Sequence, residues 1–99
     1  MADFDYHKLN GIIHSRIRLA IMSVLVAVDE AEFNFLKEKV NATDGNLSVH
    51  LRKLEDAGYV EVSKLFVNRK PVSKYRLTEQ GRRAFEAYVE SLEKLVKGK

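Results

Sequence analysis

Cysteine is absent from the 99-residue sequence, so the chain can form no disulfide, no thiolate metal site and no thiol redox switch. Long apolar runs are missing too. The longest, near residues 21–28, is broken by Ser23 and is far shorter than the roughly 20 residues that a membrane-spanning helix requires. Residues 1–8 have neither the basic segment nor the apolar stretch of a signal peptide. We therefore expect a cytoplasmic protein with no membrane partner.

Catalytic motifs are absent as well. The sequence has no glycine-rich phosphate loop, no HExxH pattern and no nucleophile elbow. Its acidic residues mostly alternate with lysine or arginine, as they do on solvated helix faces. His7 and His14 lie seven residues apart with no carboxylate between them, which is a weak pattern for a metal site. We expect no enzymatic activity, no cofactor and no bound metal ion.

Positive charge is concentrated in one part of the chain. The net charge is only +3, and residues 1–43 carry five Lys or Arg against six Asp or Glu. Residues 44–78 carry seven against four, and the segment 64–76 contains five cations and no acid. Neutralisation of nucleic-acid phosphates requires such a concentration of cations. The alternative is a hairpin whose lysines only keep it soluble.

Apolar residues at a spacing near 3.6 predict helices on both sides of residues 59–78. The pattern indicates a helical lead-in over residues 4–13, then helices over about 15–28, 33–40 and 44–57, and a last helix over 79–97. Ser15, Thr78 and either Thr43 or Asp44 can cap helix starts. Gly58 suits a helix end, since glycine tolerates the left-handed conformation.

Between these helices the apolar period changes to two. Residues 59–78 alternate as two strands, and the segment 68–71 has the composition of a turn. On the first strand we expect Val60 and Val62 to share a face with Leu65 or Val67. The predicted fold is therefore mainly α with a small β-hairpin (α+β), in the order α-α-α-β-β-α. This is a winged helix-turn-helix in a single domain, residues 1–99.

The third predicted helix has two contrasting faces. A rotation of about 100° per residue gathers Leu47, Leu51 and Leu54 into one core stripe. The major groove of DNA admits one α-helix of this kind. The alternative is that any amphipathic helix shows a polar outer face. The candidate DNA contacts on this helix are Asn46, Ser48, Val49, His50, Arg52 and Lys53.

Each of these side chains suits a different contact. Val49 could touch a thymine methyl, Arg52 could bind guanine and Asn46 adenine. Ser48 and Lys53 suit phosphates better. His50 lies at the rim of the core, where it either contacts a phosphate or packs with one polar contact satisfied. In the wing, over residues 64–74, the candidate phosphate contacts are Lys64, Arg69, Lys70 and Lys74.

The segment NLSVHLRKLEDAGYV, residues 46–60, resembles the recognition-helix signature of the ArsR and MarR-type winged-helix transcriptional regulators, in particular their small single-domain members. The segments IRLAI, residues 17–21, and YRLTEQG, residues 75–81, extend the resemblance over most of the chain. It implies that Ser48, Val49, His50 and Arg52 face DNA and that Arg69 and Lys70 form the wing tip. Metal-sensing members use cysteine pairs, which this chain lacks.

The last predicted helix is longer than the fold needs to close its core. The eighteen residues from Glu79 to Val96 would reach about 27 Å. Its apolar stripe consists of Phe85, Tyr88, Val89, Leu92, Leu95 and Val96. We expect this stripe and the lead-in over 4–13 to pack against a second subunit, and the resemblance also implies a homodimer. The alternative is that the stripe folds back on the first helix of its own chain.

Taken together, the sequence predicts a sequence-specific, DNA-binding transcriptional regulator. We expect a homodimeric repressor that binds double-stranded DNA at a pseudo-palindromic operator. The alternative is a winged helix that docks another protein, which the acidic residues Glu55 and Asp56 at the end of the recognition helix and Glu61 beyond it would favour. If a small-molecule effector exists, we expect it in the cleft between the dimerisation helices and the DNA-binding part, with Tyr6, Phe35, Phe85 or Tyr88 as lining.

Overall fold

The computed structural model describes residues 9–98 of the chain. Its elements are α1 (Arg16–Ala27), β1 (Ala31–Glu32), α2 (Phe33–Val40), α3 (Asp44–Asp56), β2 (Val60–Val67), β3 (Lys70–Leu77) and α4 (Glu79–Lys97). The predicted order of helices and hairpin is confirmed, and the two-residue strand β1 is an addition. Of the expected helical lead-in, residues 1–8 lie outside the described residues, and residues 11–13 form a turn.

Side-chain caps explain where three of the helices begin. The hydroxyls of Ser15, Thr43 and Thr78 accept hydrogen bonds from backbone N–H groups three residues further on, at the starts of α1, α3 and α4. At the other end of α3, Gly58 takes a φ of 81°, while Gly58 N donates to Glu55 O and Tyr59 N donates to Leu54 O. This is a Schellman motif, and it turns the chain directly from α3 into β2.

The sheet is antiparallel, with strand order β1-β3-β2. Pairing between β2 and β3 runs without a bulge from Val60↔Leu77 to Val67↔Lys70. Because faces alternate along a strand, Leu65 and Val67 lie on the face opposite Val60 and Val62. The expectation that one of them shares the Val60 face is therefore wrong: no extra residue is inserted to shift the alternation.

The turn of the hairpin is shorter than the sequence suggested. Asn68 and Arg69 alone connect the strands, with φ of 53° and 66°, which is the type I′ geometry that matches the twist of paired strands. Lys70 and Pro71 belong to β3. Pro71 lies opposite Phe66, one step beyond the pair that closes the turn, so its missing N–H falls at a position that does not bond across the hairpin.

The core lies between the three N-terminal helices and one face of the sheet. Its fully buried side chains come from the turn before α1 and from α1, α2 and α3: Ile13, Ile21, Met22, Leu25, Leu36, Leu47, Leu51 and Leu54. Val60 and Tyr75 contribute from the sheet, and Tyr88 from α4. Within residues 9–98, no helix is long and apolar enough to cross a membrane.

Candidate nucleic-acid interface

The connection between α2 and α3 fixes the angle of a helix-turn-helix. Asn41 adopts the left-handed conformation, with a φ of 54°, and Ala42 N donates back to Lys37 O at 3.2 Å. Lys37 Nζ also lies 2.8 Å from Asp44 Oδ1, which joins the last turn of α2 to the first turn of α3. The negative charge of Asp44 is favourable at this helix start. Backbone and side-chain contacts thus both hold α3 in place.

One face of α3 is anchored in the core while the other is open. Leu47, Leu51 and Leu54 are buried, as the sequence predicts. The structure brings five of the six predicted DNA contacts together on the exposed surface of the helix: Asn46, Ser48, Val49, Arg52 and Lys53. Val49 keeps 54% of its surface exposed, although it is a β-branched apolar residue. An exposed valine among polar residues suits a thymine methyl.

Arg52 makes an exposed ion pair within α3. Its Nε lies 3.9 Å from Asp56 Oδ1 one turn along the helix, and both side chains are largely exposed. An exposed ion pair at this distance is weak. A guanidinium that leaves it can make the bidentate contact with guanine that specifies sequence.

His50 differs from the other five predicted contacts. Its ring is half-buried, and Arg18 Nη1 of α1 donates to its Nδ1 at 2.8 Å. Burial and the positive charges of Arg18 and Lys53 lower the pKa of His50. This side chain therefore lies at the edge of the exposed face, between α3 and α1.

The wing carries exposed cations beyond the core. Lys64, Arg69 and Lys70 are exposed, and eight-residue strands place the turn roughly 23 Å from the base of the hairpin. Lys74 is different: it is half-buried, and its Nζ lies 3.6 Å from Glu30 Oε1 beside β1. Lys64 lies midway along the hairpin on the strand face opposite Lys74, and Arg69 and Lys70 lie at the tip.

Phe66 is a feature of the wing that the sequence patterns did not single out. Its side chain is 76% exposed, opposite Pro71 and on the same strand face as Lys64. This face is buried at Val60 and Tyr75 and becomes exposed where the hairpin extends past the core. The signal in the sequence was an aromatic residue two positions before an Asn-Arg turn.

The apolar stripe of α4 divides into a covered and an open part. Tyr88 is 3% exposed, burial raises the pKa of its hydroxyl, and that hydroxyl lies 2.7 Å from His14 Nδ1 of the same chain. Phe85 and Leu92 pack at the margin of the core. Leu95 and Val96 are exposed, Val96 to 82%. A groove of about 330 Å³ runs beside the stripe and is lined by Val26, Arg82, Phe85, Glu86, Val89, Glu90 and Glu93.

Of the residues expected to line an effector cleft, the three that the structure describes lie in different places. Phe35 borders a cavity of about 420 Å³ with Val28, Ala31 and Lys74, whereas Phe85 borders the groove on α4. Tyr88 is in the core, and Tyr6 lies outside the described residues. Residues 9–98 also contain no group of three or more side chains that could hold a metal ion.

Comparison with known proteins matches residues 17–96 to the family described as winged helix DNA-binding domain. An uncharacterized protein of Methanocaldococcus jannaschii is 41% identical over 86 residues, which are 87% of this chain and 94% of that protein. YdgJ of Bacillus subtilis, an uncharacterized HTH-type transcriptional regulator, is 32% identical over 93% of this chain and 54% of its own length.

Among solved structures, a transcriptional regulator homologue from Pyrococcus horikoshii OT3 superposes with a TM-score of 0.82 and 30% identity. The match covers 88% of this chain and 86% of that one. Solved structures described as MarR-family transcriptional regulators share the fold at 24% identity or less. The fold part of the resemblance in the sequence is thereby confirmed.

Proposed function

Because the chain belongs to the winged helix DNA-binding domain family, we propose that it is a sequence-specific transcriptional regulator that inserts α3 into the major groove. The observation that carries this proposal is the open face of α3. Five side chains able to contact bases or phosphates lie on it, while three leucines and the capped turn from α2 hold the helix rigidly. A rigid scaffold lowers the ordering cost of recognition. The family is one of DNA-binding domains, not of enzymes.

Within this interface we assign two kinds of contact. Asn46, Val49 and Arg52 are the proposed base contacts, and Ser48 and Lys53 the proposed phosphate contacts of α3. In the wing, Lys64, Arg69 and Lys70 are the proposed phosphate contacts. Lys74 is left out because it pairs with Glu30.

Phe66 extends the proposed wing contact with an apolar surface. Together with Pro71 it lies beside exposed Lys64, so that an apolar side chain and a cation approach the same stretch of DNA backbone. Apolar side chains at such positions pack against sugars or wedge into the minor groove. The wing would thus contribute both charge neutralisation and burial of apolar surface.

The proposed active species is a homodimer formed through α4. Leu95 and Val96 are exposed at the end of a 19-residue helix, and Val26 and Val89 border the groove beside it. A second copy of the chain would cover these side chains. A two-fold axis would place two α3 helices on half-sites about 34 Å apart, which is one turn of duplex. Such a dimer on a promoter would occlude it, so we propose a repressor that acts in the cytoplasm, where a bacterial or archaeal chromosome lies.

We also propose that a small-molecule effector binds between the two subunits of the dimer. Phe35 and Phe85 border separate cavities within residues 9–98, so we place the effector in a cleft that the second subunit completes. The structure of NadR, which shares the fold at 20% identity, is a complex with 4-hydroxyphenylacetate. The proposal for this chain extends only to a ligand bound between subunits.

Duplex binding followed by fluorescence anisotropy tests the proposed function. The affinity should fall steeply between 50 and 200 mM salt. In a plot of log K against log salt, each phosphate contact should contribute about −0.9 to the slope. A mixed-sequence duplex should bind more weakly than a selected operator at the same salt. Absence of binding to any duplex at low salt would contradict the proposal.

A further inference from the structure

Arg18 connects the first helix to the recognition helix through one histidine. Its Nε donates to Ile12 O in the turn before α1, and its Nη1 donates to His50 Nδ1 at 2.8 Å. Both side chains are half-buried. The guanidinium is thus held at one end by backbone and reaches α3 at the other.

The chemistry of this pair fixes the state of the imidazole. A guanidinium has five N–H donors and no acceptor, so Nδ1 must accept and carries no proton. The ring is then neutral, with its single proton on Nε2. Burial and the charged groups that act on the ring, Arg18 of α1 and Lys53 of α3, lower the pKa of His50 and so favour the same neutral state.

The remaining polar atom of the ring, Nε2, has solvent access. The hydrogen bonds found among residues 9–98 include one at His50 Nδ1 and none at Nε2. No side-chain nitrogen or oxygen in this part of the chain is buried without a partner, so Nε2 is accessible to solvent. His50 follows the exposed Val49, at the margin of the α3 face that carries the proposed base contacts. The backbone of a bound duplex would run along this margin.

We propose that Arg18 is a positioning residue that holds His50 as a neutral hydrogen-bond donor, with its Nε2–H directed at a DNA phosphate. This inference rests on the proposed function. The sequence leaves two roles open for His50, a phosphate contact or packing at the rim of the core, and the inference assigns it the phosphate contact. A phosphate oxygen accepts a charge-assisted hydrogen bond from such a donor. Because the ring is neutral, the contact sets the position of α3 along the groove without releasing a counterion.

Nitrogen NMR of the complete chain tests the first half of the proposal without DNA. Long-range ¹H–¹⁵N spectra should show His50 in the tautomer with the proton on Nε2. Arg18→Met should give a mixture of tautomers and a ring that protonates at higher pH, while Arg83→Met on α4, which removes the same charge, should leave the spectrum unchanged. A proton on Nδ1 of wild-type His50 would overturn the proposal.

Two substitutions of His50 test the contact with DNA. Glutamine places an N–H donor near the position of Nε2, whereas asparagine reaches only to the position of Nδ1. His50→Asn should weaken binding of a duplex about tenfold and His50→Gln less than about threefold, as expected for one hydrogen bond to a charged acceptor. The slope of log K against log salt should stay the same in both variants. Equal affinity of His50→Asn and wild type would contradict the phosphate contact.

The pH profile of binding separates positioning from simple packing of α1 on α3. Affinity should change less between pH 8 and 6 in wild type than in Arg18→Met, because burial and the charge of Arg18 lower the pKa of His50 in wild type. In Arg18→Met the ring returns toward the ordinary histidine pKa of about 6.5, so affinity should rise as the pH falls and the imidazolium attracts phosphate. The double variant Arg18→Met, His50→Gln should lose the pH dependence that Arg18→Met adds. His7 and His14 are present in every variant, so they cannot account for a difference between the profiles.

The possible outcomes distinguish this inference from the proposed function. If wild type binds duplex DNA and Arg18→Met shows the same pH profile as wild type, Arg18 does not position His50, and the inference fails while the function stands. If wild type binds no duplex at low salt, the proposed function fails and the phosphate contact fails with it. A pH dependence that is stronger in Arg18→Met than in wild type and is removed in the double variant supports both.

Discussion

Gly81 at the start of α4 lies directly against the carbonyl of Tyr59 at the start of the hairpin. A β-carbon built on Gly81 would stand 2.1 Å from Tyr59 O. The same carbonyl accepts a hydrogen bond from Thr78 N at 3.0 Å, and the Thr78 hydroxyl donates to Gly58 O at 2.6 Å. Backbone therefore packs on backbone where α3, β2 and α4 meet.

This contact predicts that Gly81→Ala destabilises the fold. The added methyl must push α4 away from the hairpin, at a cost of about 1–3 kcal/mol in the free energy of unfolding. Gly45→Ala in α3 is the matched control: nothing lies within 4 Å of its added carbon, so its effect should be neutral or slightly stabilising. Urea unfolding of the two variants checks this. Equal midpoints would show that α4 does not approach the hairpin so closely.

The wing cations should contribute to affinity without contributing to sequence preference. Replacing Arg69 by Asn, which tolerates its left-handed φ of 66°, and Lys70 by Gln should weaken all duplexes alike. The salt slope should fall by about 0.9 for each lost phosphate contact. Arg83→Gln with Lys94→Gln removes two charges from α4 and should leave the slope intact. A selective loss for one sequence would mean that the wing contacts bases.

Phe66→Ser should weaken DNA binding while leaving the stability of the free protein nearly unchanged. The side chain is 76% exposed in the free chain, so its loss removes little buried surface there. Burial of part of the ring against DNA would be worth roughly 1 kcal/mol, or about fivefold in affinity. Val67→Ser, on the opposite face of the same strand, is the control, because it also replaces a residue that favours strands by serine. Equal affinities of the two variants would remove Phe66 from the interface.

The exposed end of α4 should hold the dimer together. We expect sedimentation at micromolar concentration to give the mass of two chains for wild type and of one chain for Leu95→Glu with Val96→Glu. Both residues are exposed in the single chain, so the fold should tolerate the change. Ala87→Glu adds a charge to the other side of α4 and should remain dimeric. A wild-type mass of one chain would contradict the proposed dimer.

Local patterns predicted the helices and the buried face of α3 well. Thr43 as the cap and Gly58 as the end of α3 are short-range signals, and the apolar spacing placed Leu47, Leu51 and Leu54 in the core. What the sequence could not show depends on long-range contacts. Arg18 and His50 are 32 positions apart.

The same limit applies to the wing and to α4. Lys74 belongs to the basic segment by sequence, but pairing of β1 with β3 brings Glu30 to it. The period of α4 marks an apolar stripe without saying what covers it. Tyr88 turned out to be covered by its own chain, while Val96 was left open.

Selection of bound sequences from random duplexes, with wild type and with Arg52→Ala, tests recognition by α3 most directly. Wild type should recover a pseudo-palindrome whose half-sites lie about one helical turn apart. Arg52→Ala should recover the same spacing and lose the base preference at one position in each half-site. The discrimination between bases lost at that position should be about 1–3 kcal/mol. Recovery of no preferred sequence by wild type, or of an unchanged one by Arg52→Ala, would contradict recognition by this face of α3.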